Sequence, residues 1–307
     1  MAQIILLDGG MGQELIRRFD GPTPPMWSSG VMNERPDLVE EVHRDYIAAG
    51  AKVIVANSYS ATRPRLGRHG LMDRFEPLQR AALDIAHRAV ADNSDVQIAG
   101  GLSPLTGSYQ PELTQSFEDC LEQYAEIVAL QKDRVAFFRV ETMSTISEAV
   151  AATRAVVSAD RDAWIAFTVS DEDGTKLRSG EGLREAAKAV IVEGAAAVLV
   201  NCSFPEAIDA ALPALAGLTV PIGAYANGFT SIDALKNDNT VDVLKARQDI
   251  TPDRYSQIAL GWVEAGATII GGCCEVGPRH ISATARALTQ AGHTLTTPYT
   301  SFERQSA

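Results

Sequence analysis

Short apolar runs and longer amphipathic stretches alternate along almost the whole chain. The runs occupy residues 4–7, 52–56, 97–101, 136–140, 164–169, 196–200, 221–225 and 268–270. Each is nearly continuously apolar, the pattern of a parallel strand buried on both faces. Between them the apolar spacing lengthens to three and four residues. Leu38, Val39, Val42, Tyr46 and Ile47 form one such stripe, and Phe117, Cys120, Leu121, Tyr124 and Val128 form another, which places Cys120 toward a core. Thr251-Pro252 predicts an N-cap followed by a first-turn proline. Ala49-Gly50, Glu193-Gly194 and Ala265-Gly266 each stand just before a strand, where glycine suits a left-handed helix C-cap.

Eight strands alternating with helices in 307 residues predict an α/β fold, a single (β/α)8 TIM barrel over residues 1–291. Residues 292–307 are expected as a polar, loosely attached tail. A doubly wound open sheet is the alternative, because periodicity does not establish closure. The longer insertions, residues 19–35, 58–76, 103–114 and 226–250, all follow strands. In a barrel they would gather on the C-terminal face, where barrel enzymes keep their chemistry.

Composition narrows the function. The formal charge is −12 with no basic cluster, which argues against a phosphate-backbone partner. The N-terminus lacks a signal-peptide pattern, and no stretch has the length and apolarity of a membrane span. A cytoplasmic protein with reduced thiols is expected, so the four cysteines need an explanation other than disulfide bonding.

The predicted strand ends bring that explanation. Strand one leads into Asp8-Gly9-Gly10-Met11-Gly12, strand two into Asn57-Ser58-Tyr59, and strand four into Glu141-Thr142. Strand six leads into Asn201-Cys202, and strand eight into Gly271-Gly272-Cys273-Cys274. Cys202, Cys273 and Cys274 would share one mouth, and three thiolates with an open position match a catalytic zinc site. Free cysteines also occur as small buried apolar residues, which is the reading for Cys120. No histidine directly follows a strand, so histidine-based metal sites are not expected, and His280 reads as a helix-capping or packing residue.

Asp8-Gly9-Gly10-Met11-Gly12-Gln13-Glu14-Leu15, Asn201-Cys202-Ser203 and Gly271-Gly272-Cys273-Cys274 together resemble the zinc-dependent homocysteine S-methyltransferases, in order, from about residue 5 to residue 290. The resemblance implies Cys202, Cys273 and Cys274 as Zn²⁺ ligands. Asp8 and Glu141 would hold the amino group of homocysteine, the amides around Gly9 and Gly10 its carboxylate, and Asn57 would line the substrate site. It further implies a stand-alone enzyme, monomer or homodimer, with a small methyl donor, S-methylmethionine or S-adenosylmethionine rather than a folate or corrinoid module. Trp27, Tyr59, Tyr109, Tyr225 and Phe229 lie in the expected mouth loops, where aromatic faces would suit a cationic donor. The chain departs from relatives at Phe204, at Ala226-Asn227-Gly228-Phe229 and at Glu275, which leaves other thiol or selenol acceptors open. Two further classes compete: a non-catalytic zinc-binding or thiol-redox barrel, and a lyase using Glu141 with a phosphate site. Lysine is absent from the strands except Lys52 at a strand start, which disfavours a Schiff-base lyase.

Overall fold

The computed structural model describes residues 1–24, 26–91, 93–232 and 244–298. All eight expected strands form: β1 (Gln3–Leu6), β2 (Val53–Val55), β3 (Gln97–Leu102), β4 (Phe137–Met143), β5 (Ala163–Phe167), β6 (Ala197–Asn201), β7 (Ile222–Tyr225) and β8 (Ile269–Ile270). A ninth, β9 (Thr294–Leu295), follows near the C-terminus. The helices are α1 (Met11–Arg18), α2 (Trp27–Glu34), α3 (Pro36–Ala48), α4 (Arg63–Arg68), α5 (Phe75–Val90), α6 (Phe117–Gln131), α7 (Ile146–Val157), α8 (Leu183–Val192), α9 (Pro205–Leu215), α10 (Pro252–Glu264) and α11 (Pro278–Gln290).

The strands make one curled parallel sheet in the order β2-β3-β4-β5-β6-β7-β8-β1-β9. Beyond β1, Leu7 bridges Val53 in parallel, the Asp8 N–H donates to Val53 O at 3.0 Å, and the Lys52 N–H donates to Leu6 O at 2.7 Å. Side chains alternate between two apolar cores, as the strand period of two requires. Leu7, Val53, Val55, Ala99, Phe137, Trp164, Ala166, Leu199, Tyr225 and Ile269 pack against one another on the concave face. Their neighbours, such as Leu6, Phe138, Ile165 and Val198, pack in a larger core with residues of the helices. Helices on one side and a filled interior on the other explain why the strands read as unbroken apolar runs.

Local expectations hold in detail. Gly50, Gly194 and Gly266 have φ of 107°, 96° and 100°, where a side chain would be strained. The Thr251 side chain accepts from the Arg254 N–H at the start of α10, and Cys120 is buried on α6.

Three expectations need correction. The first residues of the expected loose tail are held, because Thr294 and Leu295 pair with Gln3 and Ile4; residues 299–307 lie outside the described residues. The insertion at 19–35 contains α2, that at 58–76 contains α4, and α1 begins directly after the Asp8-Gly9-Gly10 turn. Glycines at 10 and 12 obscure the α1 period, but Glu14 in its first turn pairs with Arg17 and Arg18 in its last, a favourable arrangement for the helix dipole. Of the insertion at 226–250, residues 233–243 lie outside the described residues. Finally, β4 continues to Met143 with a register shift between Val140 and Met143, so Glu141 and Thr142 lie inside the strand rather than beyond it.

Candidate active site

The three strand-end cysteines converge. Cys202 follows β6 with φ 47°, its N–H donating to Tyr225 O at 3.1 Å. Cys273 follows β8 and donates its N–H to Ala226 O at 2.9 Å, while Cys274 O accepts from the Gly228 N–H at 2.9 Å. The backbone therefore fixes all three before any ligand arrives. Their sulfurs lie within 4.8 Å of one another, with Cys202 and Cys274 Sγ 3.9 Å apart. Two ligands about 2.3 Å from one tetrahedral ion stand roughly 3.8 Å apart, so the Cys202–Cys274 spacing suits a shared metal, whereas Cys273 Sγ, 2.6 Å from Cys202 Sγ, would have to draw back to join them. Donation to Cys202, together with burial, pushes the Cys273 and Cys274 thiols well above the usual range. Burial also penalises the Cys202 thiolate, yet hydrogen bonds from Cys273, Cys274 and the Tyr109 hydroxyl hold it well below that range. Three soft donors at a cavity edge fit a thiophilic divalent ion, and among the described residues no fourth histidine, cysteine or carboxylate joins them.

The glycines of Asp8-Gly9-Gly10-Met11-Gly12 make room for this arrangement. A Cβ on Gly9 would stand 2.1 Å from Val276 O, and one on Gly10 would stand 2.5 Å from Cys273 O. One on Gly12 would enter the Trp27 ring. Gly9 and Gly10 thereby let the β1 and β8 loops touch, and Gly12 lets Trp27 pack against α1. The Gly10 N–H is already given to Val276 O at 3.0 Å, whereas the Gly9 N–H meets no acceptor among the described residues.

A second cluster joins the strand ends to the interior. Phe137, Arg139 and Glu141 succeed one another on the concave face of β4. Arg139 is buried; its Nη1 donates to Asp8 Oδ1 at 2.8 Å, and its Nε lies 2.8 Å from Glu141 Oε1. Tyr225 donates its hydroxyl to the same Glu141 oxygen at 3.0 Å. Burial raises the Glu141 carboxyl above the usual range despite the guanidinium beside it. For Arg139 the order reverses: burial works against its charge, but Glu141 and Asp8 prevail and the guanidinium stays protonated.

One cavity connects the two clusters. It is lined by Gly9, Gly10, Met11, Gly12, Trp27, Asn57, Tyr59, Tyr109, Arg139, Glu141, Thr142 and the three cysteines, among others. Of the expected substrate residues, Gly9, Gly10, Asn57 and Glu141 line it, while Asp8 is fully buried behind Arg139. Asn57 spends its amide nitrogen on Ser28 O at 3.2 Å. Of the five mouth aromatics, Trp27, Tyr59 and Tyr109 reach the cavity. Tyr225 belongs to the inner core, and Phe229 packs beside Cys202 and Cys274. His280 caps: its Nδ1 accepts from the Gly277 N–H and its Nε2 bonds Ile250 O. Glu275 is tied to Gln13 and Arg17.

Sequence reasoning missed Arg139 and Tyr255. Arg139 did leave a signal, a lone charge within an otherwise apolar strand, where only a paired arginine is tolerated. Tyr255 left none: its hydroxyl donates to Gly271 O at 2.7 Å and accepts from the Ala226 N–H at 3.1 Å, joining the β7 and β8 loops from α10.

Known proteins resemble the chain throughout its length. The family model described as homocysteine S-methyltransferase matches residues 5–288. A homocysteine S-methyltransferase of Escherichia coli is 30% identical, with 91% of this chain and 94% of the relative covered. A selenocysteine methyltransferase of Astragalus bisulcatus is 26% identical, with 89% of each covered. The crystal structure of the homocysteine methyltransferase MmuM from Escherichia coli, in its metallated form, superposes with a TM-score of 0.76 at 27% identity, covering 92% of this chain and 96% of that one.

Proposed function

The chain belongs to the homocysteine S-methyltransferase family, and from that premise we propose that it moves a methyl group from a small sulfonium donor to the thiolate of homocysteine, with Zn²⁺ held by Cys202, Cys273 and Cys274. The observation that carries this reading is the meeting of three cysteine sulfurs within 4.8 Å at the edge of a cavity that also holds Glu141. The bridge from Leu7 to Val53 supports closure of the sheet as a (β/α)8 barrel over residues 1–291. The reading extends to a cytoplasmic enzyme, monomer or homodimer; among the described residues no helix is long and apolar enough to cross a membrane.

Zinc bound there supplies a Lewis acid that keeps the acceptor sulfur deprotonated near neutral pH. The chain's own residues do the rest by positioning. In this reading the Glu141 carboxylate takes the acceptor's ammonium, with the charge of Asp8 behind it, and the Gly9 amide, without an acceptor among the described residues, takes its carboxylate; both groups line the cavity. Trp27 and Tyr59, in an edge-to-face pair with centroids 6.4 Å apart, and Tyr109 wall the other side. Aromatic faces attract a sulfonium through their quadrupoles, which favours S-methylmethionine or S-adenosylmethionine. The selenocysteine methyltransferase among its relatives favours a second reading, a selenol acceptor in the same pocket.

The test is methionine formation from homocysteine with each donor in turn, with bound zinc quantified in the same preparation. About one zinc per chain and turnover that disappears in Cys273→Ala are expected. Turnover that survives Cys273→Ala, or a metal-replete protein that binds no zinc, overturns the proposal.

A further inference from the structure

Two acids and one guanidinium cluster at the floor of the cavity and just beneath it, and the way their atoms are spent is unequal. Asp8 is wholly buried, with Oδ1 accepting from Arg139 Nη1 at 2.8 Å and Oδ2 accepting from the Val55 N–H at 2.9 Å. It does not line the cavity. Glu141 does, and its internal contacts converge on one oxygen: the Tyr225 hydroxyl donates to Oε1, and Arg139 Nε lies 2.8 Å from the same atom as an ion pair without hydrogen-bond alignment. Among the described residues, no donor reaches Oε2.

We propose that Arg139 sets the acceptor specificity of this cavity by withdrawing Asp8 from it, so that Glu141 Oε2 is the one carboxylate oxygen left to read an ammonium group. This deepens the function proposed above and rests on its acceptor being bound in this cavity. Arg139 sits two residues before Glu141 on the same face of β4, so the strand period itself inserts the guanidinium between the acids. The trio carries one net negative charge rather than two. Two accepted bonds leave Asp8 with spare lone pairs, but the carboxylate is fully buried behind Arg139 and presents no oxygen to the cavity. Asp8 is then a positioning residue, acting on the acceptor only through Arg139. The substrate class widens accordingly: thiol acids lacking the α-amino group lose one charge-assisted contact rather than two.

The experiment compares methionine with 4-(methylthio)butanoate, its analogue lacking the amino group, by equilibrium titration of the zinc-loaded protein. Wild type should prefer methionine. Glu141→Gln should cut that preference by about tenfold or more, the value of one charge-assisted contact. Asp8→Asn should weaken both ligands and leave the preference within about twofold. Arg139→Met should raise the preference by exposing Asp8; if that variant does not fold, the Asp8→Asn and Glu141→Gln comparison decides alone. An Asp8→Asn variant that loses the preference as fully as Glu141→Gln overturns the inference, as does a wild type without a preference. Because the readout is binding, a protein that binds methionine in this pattern but turns over no homocysteine would sink the proposed reaction and leave this inference standing.

Discussion

Asn201 holds Thr142 from both sides: its Oδ1 accepts the Thr142 N–H and its Nδ2 donates to Thr142 Oγ1, each at 3.0 Å. Thr142 needs holding, because its φ of 64° is unfavourable for a β-branched residue. This clasp spans β4 and β6 and fixes the irregularity next to Glu141 at the same place where β6 turns into Cys202.

Asn201→Ala should therefore destabilise the fold by about 2–4 kcal/mol, since it removes two bonds and leaves the buried Thr142 N–H without a partner. A chemical-denaturation midpoint measures this. A loss below about 0.5 kcal/mol would show that the Thr142 conformation is held by something else.

Tyr109 donates its hydroxyl to Cys202 Sγ at 2.8 Å in a buried setting. Such outer contacts to metal-binding sulfur commonly contribute tenfold or more in metal affinity. Tyr109→Phe should weaken metal retention against a chelator roughly tenfold, and in the Co²⁺-substituted protein the sulfur-to-metal charge-transfer band should move to lower energy. Unchanged retention and spectrum would assign the tyrosine to packing alone.

Gly10→Ala tests how the β1 loop supports the cysteines. The added Cβ would stand 2.5 Å from Cys273 O and 3.0 Å from Cys274 Cα, both backbone atoms. The Cys273-Cys274 segment must move, so metal stoichiometry should fall well below that of wild type while circular dichroism stays native. Gly261→Ala, whose Cβ meets nothing within 4 Å among the described residues, is the control expected to retain metal.

His43 on α3 is buried, neither ring nitrogen has a hydrogen-bond partner among the described residues, and burial depresses its pKa to about 3. The unfolded chain would take up that proton near pH 6.5. Stability from this group is thus present above pH 6.5 and is lost as pH falls toward 3. At pH 5 the loss should be about 2 kcal/mol relative to pH 8. Denaturation of His43→Leu across this range should show a flatter acid limb; an unchanged limb would assign the acid sensitivity to other groups.

Strands, capping glycines and the three clustered cysteines were legible in the chain because each depends on local chemistry. Buried parallel strands need unbroken apolar runs, left-handed caps need glycine, and thiolates at strand ends fall on one face whenever the strands are parallel. The short β9 was not legible, since two residues pairing with Gln3 and Ile4 carry no period of their own. Nor was the division of labour between Asp8 and Glu141. Both are acids beside strand ends, alike in sequence, and only the packed sheet brings Arg139 against Asp8 from 131 residues away. Residue types and spacing determined the donors available to the site. The tertiary structure decided which atoms remain unspent, because that depends on partners from distant strands competing for the same few lone pairs.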